Sequence, residues 1–409
     1  PGLAVVPTII GSILLIGAGL FGPTPVSHAL SLRPVVLTGK MSYSIYLYHW
    51  PALALATYWL GRAPDAVEAA GLVSATLVLA ALSWILVEQK LTRQLGLYGM
   101  APTALLGRTV TVSAVFCLMA AVGIAGHGWA QRLDAPAYNV FHAASSDNPL
   151  RESCDGYDLA FRNEQFCNFG RRRGDGESYD MAIFGDSNAD HFVPMIAKLA
   201  EAGGLSGRQV TQSKCAVLIG ADRVRDTASA TETCARYQAV VLEFLERNPG
   251  LKLAVLSSAW WGYGTLKPNR IANRPEDRTL SFAEVAAYTV NLFRQRGIEV
   301  LILGQIPHLE TFSMHCFVEA ARRDTEENDC ATPLSVVDQA LNVSQTAFRV
   351  IDDTDRDISF ISMRDLFCTQ TICSAFKDEV FLYRNTGHLN GIGSAYLARY
   401  VTLPEIEHR

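Results

Sequence analysis

The chain has 409 residues, 49% hydrophobic and 18% charged, with a formal net charge of −5, and its length accommodates two or three domains. The charge is unevenly placed. Residues 1–128 carry six basic residues (Arg33, Lys40, Arg62, Lys90, Arg93, Arg108) and three acids (Asp65, Glu68, Glu88), which leaves 29 basic and 37 acidic residues, net −8, in 129–409. Nine charges in 128 residues are too few for a soluble domain, which excludes a purely cytosolic enzyme, a disordered chain and a basic nucleic-acid binder.

Four apolar runs in the first part, roughly 3–21, 41–60, 67–87 and 109–126, approach the ~20 residues that a helix needs to cross a bilayer. The second run holds Ser42, Tyr43, Ser44, Tyr46, Tyr48 and His49, which lipid does not favour and which are expected to face protein or a polar cavity. His49 is read either as part of a polar channel or as an interhelical hydrogen-bonding group. The first run lacks a basic leader and is followed by further spans, so it does not read as a secretory signal. Arg33 and Lys40 in the loop 22–40, and Lys90, Arg93 and Arg108 in the loop 88–108, place those loops in the cytoplasm. Arg62 is balanced by Asp65 in the turn 61–66. Four spans then leave the chain outside after about residue 126. The chain opens on Pro1 rather than Met, as expected of a fragment or a processed form.

Cys117 lies in the fourth run, and the other eight cysteines follow it. Short-loop closure favours pairing them in order, 154–167, 215–234, 316–330 and 368–373, out of 105 possible pairings. Such pairing implies an oxidising compartment such as the periplasm; the alternative is eight free thiols. No CxxC pair is present, so no metal site is expected.

Residues 129–150 are polar, with Pro136 and Pro149, and read as a linker. Beyond them, apolar runs predict strands at 179–184, 209–212, 252–257, 298–303 and 358–362. Helices are predicted at 190–202, 234–248, 282–296, 335–346 and 392–400. This alternation implies an α/β domain with a parallel sheet covered on both faces and a site at the carboxyl edge of its strands.

The first predicted strand runs into Gly185-Asp186-Ser187-Asn188. Gly185 permits a sharp turn, and Ser187 falls where helix-start N–H groups point at a developing oxyanion. The competing reading is an ordinary helix cap, for which Asp and Ser are favoured. Near the C-terminus stands Asn385-Thr386-Gly387-His388, just before the last predicted helix. His388 is placed to reach over the sheet edge and take the Ser187 proton, with Asn385 orienting its ring.

On these residues, 150–409 resemble the SGNH hydrolase family, Gly185-Asp186-Ser187 corresponding to its nucleophile block and His388 to its last block. The run Ser42-Tyr43-Ser44-Ile45-Tyr46-Leu47-Tyr48-His49-Trp50-Pro51 is similar to a late membrane segment of the acyltransferase 3 family. The combination resembles bacterial fusions of the two that O-acetylate envelope polysaccharides. The resemblance implies about four transmembrane helices in 1–128, with earlier membrane segments missing, the linker, and a periplasmic domain of flavodoxin-like α/β fold in 151–409. It implies a multi-pass protein of the bacterial inner membrane. It also implies an O-acyltransferase working through an acyl-Ser187 intermediate, with acetyl-CoA as the donor for the complete protein and no bound cofactor. The acceptor would be an O-antigen, peptidoglycan or exopolysaccharide. A periplasmic carbohydrate esterase is the alternative, or a non-catalytic glycan-binding domain if Asn385 disables the site.

The chain departs from the family pattern in three ways. Asn385 stands where the family has Asp, with Asp378 a distant substitute. No Gly-x-Asn-Asp block supplies an oxyanion Asn; Trp260 and Trp261 occupy that region, as acceptor-site walls or as core. The early acyltransferase segments are absent. Gly185, Asp186, Asn188 and Cys215 complete the oxyanion and substrate candidates. Ser213-Lys214-Cys215 either brings a backbone N–H to the oxyanion or forms a strand-end turn fixed by a disulfide. Arg171-Arg172-Arg173 is read as an anion-attracting run or as solvated charge.

Overall fold

The structure is a computed structural model that describes residues 5–404, apart from 20–21, 23, 61–62, 92–93, 95–100, 127–128, 130–131, 159–165, 175, 225, 270, 272–278, 311, 324–329 and 355–356. The chain forms two compact units, Pro1–Trp129 and Ala130–Arg409.

The first unit is helical: Val6–Ala18, Pro25–Leu30, Arg33–Leu60, Ala66–Ser83 continued by a π-helical stretch Trp84–Leu91, and Pro102–Ala125. Among the described residues, two helices are long and apolar enough to cross a membrane: Ala66–Lys90, of mean hydropathy 2.2, and Thr103–Ala125, of mean hydropathy 1.9. Of the first expected span, the ends at 3–4 and 20–21 lie outside the described residues. Its described part holds a helix of 13 residues, about 20 Å long. The second lies in a helix of 28 residues with Pro51 inside it, and its Ser, Tyr and His residues lower its hydropathy. His49 Nδ1 meets the Tyr46 carbonyl one turn back at 2.7 Å, an intrahelical bond rather than an interhelical one. Ser44, fully buried, donates to Glu88 and ties helix Arg33–Leu60 to the stretch Trp84–Leu91. Arg33 and Lys40 belong to the helix Arg33–Leu60 rather than to a loop. Arg62 and Arg93 lie outside the described residues.

The second unit is built on a six-stranded sheet. Its strands are β1 (Asn168–Gly170), β2 (Met181–Gly185), β3 (Ser206–Thr211), β4 (Leu253–Ser257), β5 (Glu299–Leu303) and β6 (Ile358–Ile361). Their spatial order is β1-β3-β2-β4-β5-β6. β1 runs antiparallel to β3, and the other five strands are parallel. The parallel strands alone read 2-1-3-4-5, the flavodoxin-like doubly wound order. The five predicted strands are β2 to β6. β1 was not foreseen, because three residues carry no readable period.

Burial follows the pleat. Ala182 and Phe184 point into one core with Tyr237, Phe244, Phe293 and Phe348. Met181 and Ile183 point into the other with Phe192, Ile196, Phe317 and Leu389. Helices Ala228–Arg247, Phe282–Arg294 and Leu334–Thr354 cover the first face, and Ser187–Ala202 and Gly391–Leu397 the second. The eight C-terminal-unit cysteines are bonded in order, 154–167, 215–234, 316–330 and 368–373, and Cys117 is free.

The stretch read as a linker is partly domain. Helix Ala135–Ser145 buries Ala137, Val140 and Ala143 in the second core. Asp134 caps it, accepting from the Ala137 N–H at 3.1 Å. The apolar residues on this helix are mostly alanines, which read as polar-neutral in sequence yet allow close packing.

Candidate active site

β2 lies between β3 and β4, so its carboxyl end is the point where the chain order reverses, the usual crevice of such sheets. The chain turns there at Gly185, whose φ is +145°. A Cβ at this position would lie 1.6 Å from the Ser257 carbonyl oxygen, so only glycine fits. The Gly185 N–H donates to the Tyr237 hydroxyl at 2.7 Å.

Asp186 is the N-cap of helix Ser187–Ala202. Its buried carboxylate accepts from the Asn188 N–H at 2.8 Å and from the Ala259 N–H at 3.1 and 2.9 Å, joining the Gly185-Asp186-Ser187 turn to the loop after β4. Burial raises its pKa to about 6, against the pull of those N–H groups. The helix cap is therefore supplied by Asp186 and not by Ser187.

Ser187 begins the helix, and its Oγ lies 2.7 Å from His388 Nε2. His388 sits on a short hairpin, Tyr383–Asn385 with His388–Leu389. The hairpin is pinned by the Tyr383 hydroxyl, which donates to the Pro307 carbonyl at 2.7 Å, and by the Leu309 N–H, which donates to the Thr386 carbonyl at 2.8 Å. Asn385 Oδ1 accepts from the Gly387 N–H at 3.1 Å and faces His388 Nδ1 at 2.9 Å. The Gly387 contact turns the amide oxygen toward the ring, so Nδ1 carries the proton and Nε2 presents its lone pair to Ser187. Asp378 does not substitute for the missing acid: it accepts from the Tyr396 and Tyr400 hydroxyls.

Burial, followed by the charges of Arg384, Arg151 and His308, lowers the His388 pKa to about 4. Acidification therefore acts on stability in two opposing ways. Folded Asp186 binds its proton more tightly than the unfolded chain does, so lowering the pH from about 6 toward 3.8 favours the fold. Folded His388 binds its proton less tightly, so lowering the pH from 6.5 toward about 4 disfavours it. Any rate that needs neutral His388 should hold level from neutral pH downward and fall to half near pH 4. A kcat/KM profile on an activated acetyl ester checks this, and a main acid limb near 6.5 would contradict it.

The N–H groups at the sheet edge sort themselves by partner. Those of Gly185 and Asn188 are engaged by Tyr237 and Asp186. The Cys215 N–H donates to the Gln212 carbonyl at 3.0 Å, and its sulfur is bonded to Cys234, which removes Cys215 from the oxyanion candidates. The Ser213 N–H donates to Asp155 at 3.0 Å. The N–H groups of Ser187 and Lys214 have no partner among the described residues. Lys214 has φ +71°, in a turn whose Gln212 N–H bonds the Gly185 carbonyl at 3.0 Å. A left-handed lysine costs roughly 1 kcal/mol. In Lys214→Gly the relief of that strain is offset in large part by the entropy glycine adds to the unfolded chain, so stability in denaturant titration should change by less than about 0.5 kcal/mol.

The adjacent tryptophans part company. Trp260 is 3% exposed, donates to the Leu303 carbonyl at 3.1 Å and packs against Phe282 and Phe348; it is core. Trp261 is 57% exposed and meets the His308 ring at 6.3 Å. His308 in turn touches the loop of His388, since a Cβ on Gly387 would come within 3.2 Å of it. Arg171 pairs with Glu177 and Asp180, and Arg173 lies over the Tyr179 ring, consistent with solvated charge.

Sequence reasoning missed the groups behind Ser187. Asp190, fully buried, pairs with Arg151 and accepts from Asn148 at 2.7 Å and Gln209 at 3.0 Å. His191 lies one turn beyond Ser187, beside His388. The spacings i+3 and i+4 from Ser187 were the available signal.

Residues 153–402 match the SGNH domain family of the kind fused to AT3 domains. Over 87 residues the chain is 33% identical to a candidate membrane-bound transacylase, BcsY, of Komagataeibacter xylinus, a match spanning 21% of this chain and 22% of that protein. The periplasmic domain of a lipopolysaccharide acetyltransferase from Salmonella ser. Paratyphi A aligns over 63% of this chain and 97% of its own, at 12% identity and a TM-score of 0.42. A candidate acylhydrolase from Bacteroides fragilis aligns over 59% and 90%, at 12% identity and a TM-score of 0.31. The family match covers more than half of the chain, which therefore belongs to the SGNH domains fused to AT3 domains.

Proposed function

We propose that this protein is a membrane-bound O-acyltransferase that moves an acyl group, acetyl in the simplest case, onto a hydroxyl of a cell-envelope polysaccharide. The observation that carries the reading is the Ser187–His388–Asn385 chain, with contacts of 2.7 and 2.9 Å. Family membership and the likeness to a membrane-bound transacylase support acyl transfer, and the exposed Trp261 suits a sugar acceptor. The two apolar helices and four disulfides support a bacterial inner-membrane protein with this domain in the periplasm.

The proposed reaction has two halves. Ser187 Oγ attacks the carbonyl carbon of the acyl donor while His388 Nε2 takes its proton. The Ser187 and Lys214 N–H groups receive the oxyanion. The leaving group departs with the proton from His388, and an ester remains on Ser187. An acceptor hydroxyl then gives its proton to His388 and attacks that ester, and Ser187 leaves with the proton returned. The exposed Trp261 indole offers a face on which a sugar ring stacks. In the complete protein the acyl group would come from acetyl-CoA across the membrane part.

Asn385 holds the tautomer but cannot offset the imidazolium charge. In a serine protease the equivalent loss of the acid costs about 10⁴ in kcat. Asn385→Asp should recover part of this, about 100-fold in kcat/KM, with the acid limb moving up from pH 4; a fall in rate would count against the geometry.

The deciding experiment uses the full chain in detergent with an activated acetyl ester and envelope oligosaccharides. Mass analysis should find O-acetyl groups on the sugar, absent with Ser187→Ala. Free acetate alone, with Ser187 required, would instead mean an esterase.

A further inference from the structure

We infer that His191 is a positioning residue for the base: its ring, packed edge to face against His388, stabilises the imidazolium that His388 becomes, where Asn385 brings no charge. The inference rests on the acyl-enzyme reading above. His191 follows Ser187 by four residues, so the two share one face of the helix. Its ring centroid lies 5.8 Å from that of His388, with the planes at 87°. The separation is close to the ~6 Å over which an aromatic face acts on a cation, and His191 is inferred to be the ring that presents its face.

Two observations separate His191 from a packing residue. It is 2% exposed, and neither ring nitrogen has a hydrogen-bond partner among the described residues. A buried imidazole left unpaired is costly, and leucine or phenylalanine would fill the same space without that cost. Burial, followed by the charges of His388 and Arg151, holds His191 far below the usual imidazole range, so it stays neutral beside a charged neighbour.

The other groups around His388 make such help useful. Asn385 faces Nδ1 and Ser187 faces Nε2. Arg384 from its own hairpin, Arg151 from helix Arg151–Cys154 and His308 from the loop after β5 all disfavour its protonation. The neighbouring carboxylates Asp147 and Asp190 are paired with Arg384 and Arg151. No carboxylate bonds the ring among the described residues.

The test compares His191→Leu and His191→Phe in the full chain, with hydrolysis of an activated acetyl ester followed across pH. Loss of the π face should lower the His388 pKa further. His191→Leu should then lose about 10-fold in kcat at unchanged KM, with the acid limb displaced downward by about half to one pH unit. His191→Phe keeps an aromatic face and should stay within about 3-fold of wild type, with the limb in place. An unmoved limb in an impaired Leu variant, a wild-type Leu variant, or a Phe variant as impaired as Leu overturns the inference. Should the Leu variant fail to fold by near-ultraviolet circular dichroism, the Phe variant decides: a retained limb supports the inference and a displaced one overturns it. Ser187→Ala run in parallel reports separately on the acyl-enzyme reading, because a rate independent of Ser187 would defeat that reading and not the ring contact.

Discussion

Ser187→Ala should reduce kcat for acyl transfer by at least about 10⁴-fold while the domain keeps its fold and its thermal transition. The change removes one hydroxyl, whose bond in the structure is to His388 at 2.7 Å. The Asp186 cap, the Ala259 clamp and the helix start do not depend on it. His388→Ala should cost about as much, and the double variant little more, because nucleophile and base act as one unit. Ester turnover by purified full chain and O-acetyl content of the envelope glycan in cells are the two measurements. In-cell acylation unchanged by Ser187→Ala would falsify the mechanism, since no other nucleophile is bonded to His388 among the described residues.

Gly185→Ala should have the largest effect on folding. The added Cβ would sit 1.6 Å from the Ser257 oxygen, 2.8 Å from its carbonyl carbon and 2.9 Å from Ala189 Cβ, at φ +145°. Gly185 is paired in register with Ser257, so the only relief is to part the two middle strands of the sheet. A loss above about 4 kcal/mol follows, in the range reserved for backbone strain joined to overpacking. Gly204 is the control: its φ is +65° and nothing lies within 4 Å of a Cβ there, so alanine should cost about 1 kcal/mol. Thermal unfolding of both variants gives the comparison, and equal destabilisation would refute the steric account.

The parts of the fold that were legible share one property: their apolar residues are numerous enough to show a period. β2 to β6 are such runs, as are the helices that bury Phe244, Phe293 and Phe348. β1 is three residues long, and helix Ala135–Ser145 buries two alanines and one valine, too little contrast to register. In the site, Ser187 and His388 were legible because each stands in a turn with its own residue signature. Trp260 and Trp261 could not be separated, because neighbouring residues in a 3₁₀ turn point in different directions. The run Ser213-Lys214-Cys215 could be read only as a whole, because sequence does not say which N–H in a turn is already bonded. In the helical unit, long side chains such as Tyr46 and Tyr48 look apolar by size, while their hydroxyls and His49 lower the hydropathy of the run.

The four disulfides join each cysteine to the next along the chain, at separations of 13, 19, 14 and 5 residues. No bridge encloses or crosses another. A chain threaded outward from its amino end can therefore close each bridge as soon as the second thiol of a pair emerges, with the rest of the polypeptide still behind it. An oxidant that pairs thiols in order of arrival would make this set in one pass, with no reshuffling of earlier bridges.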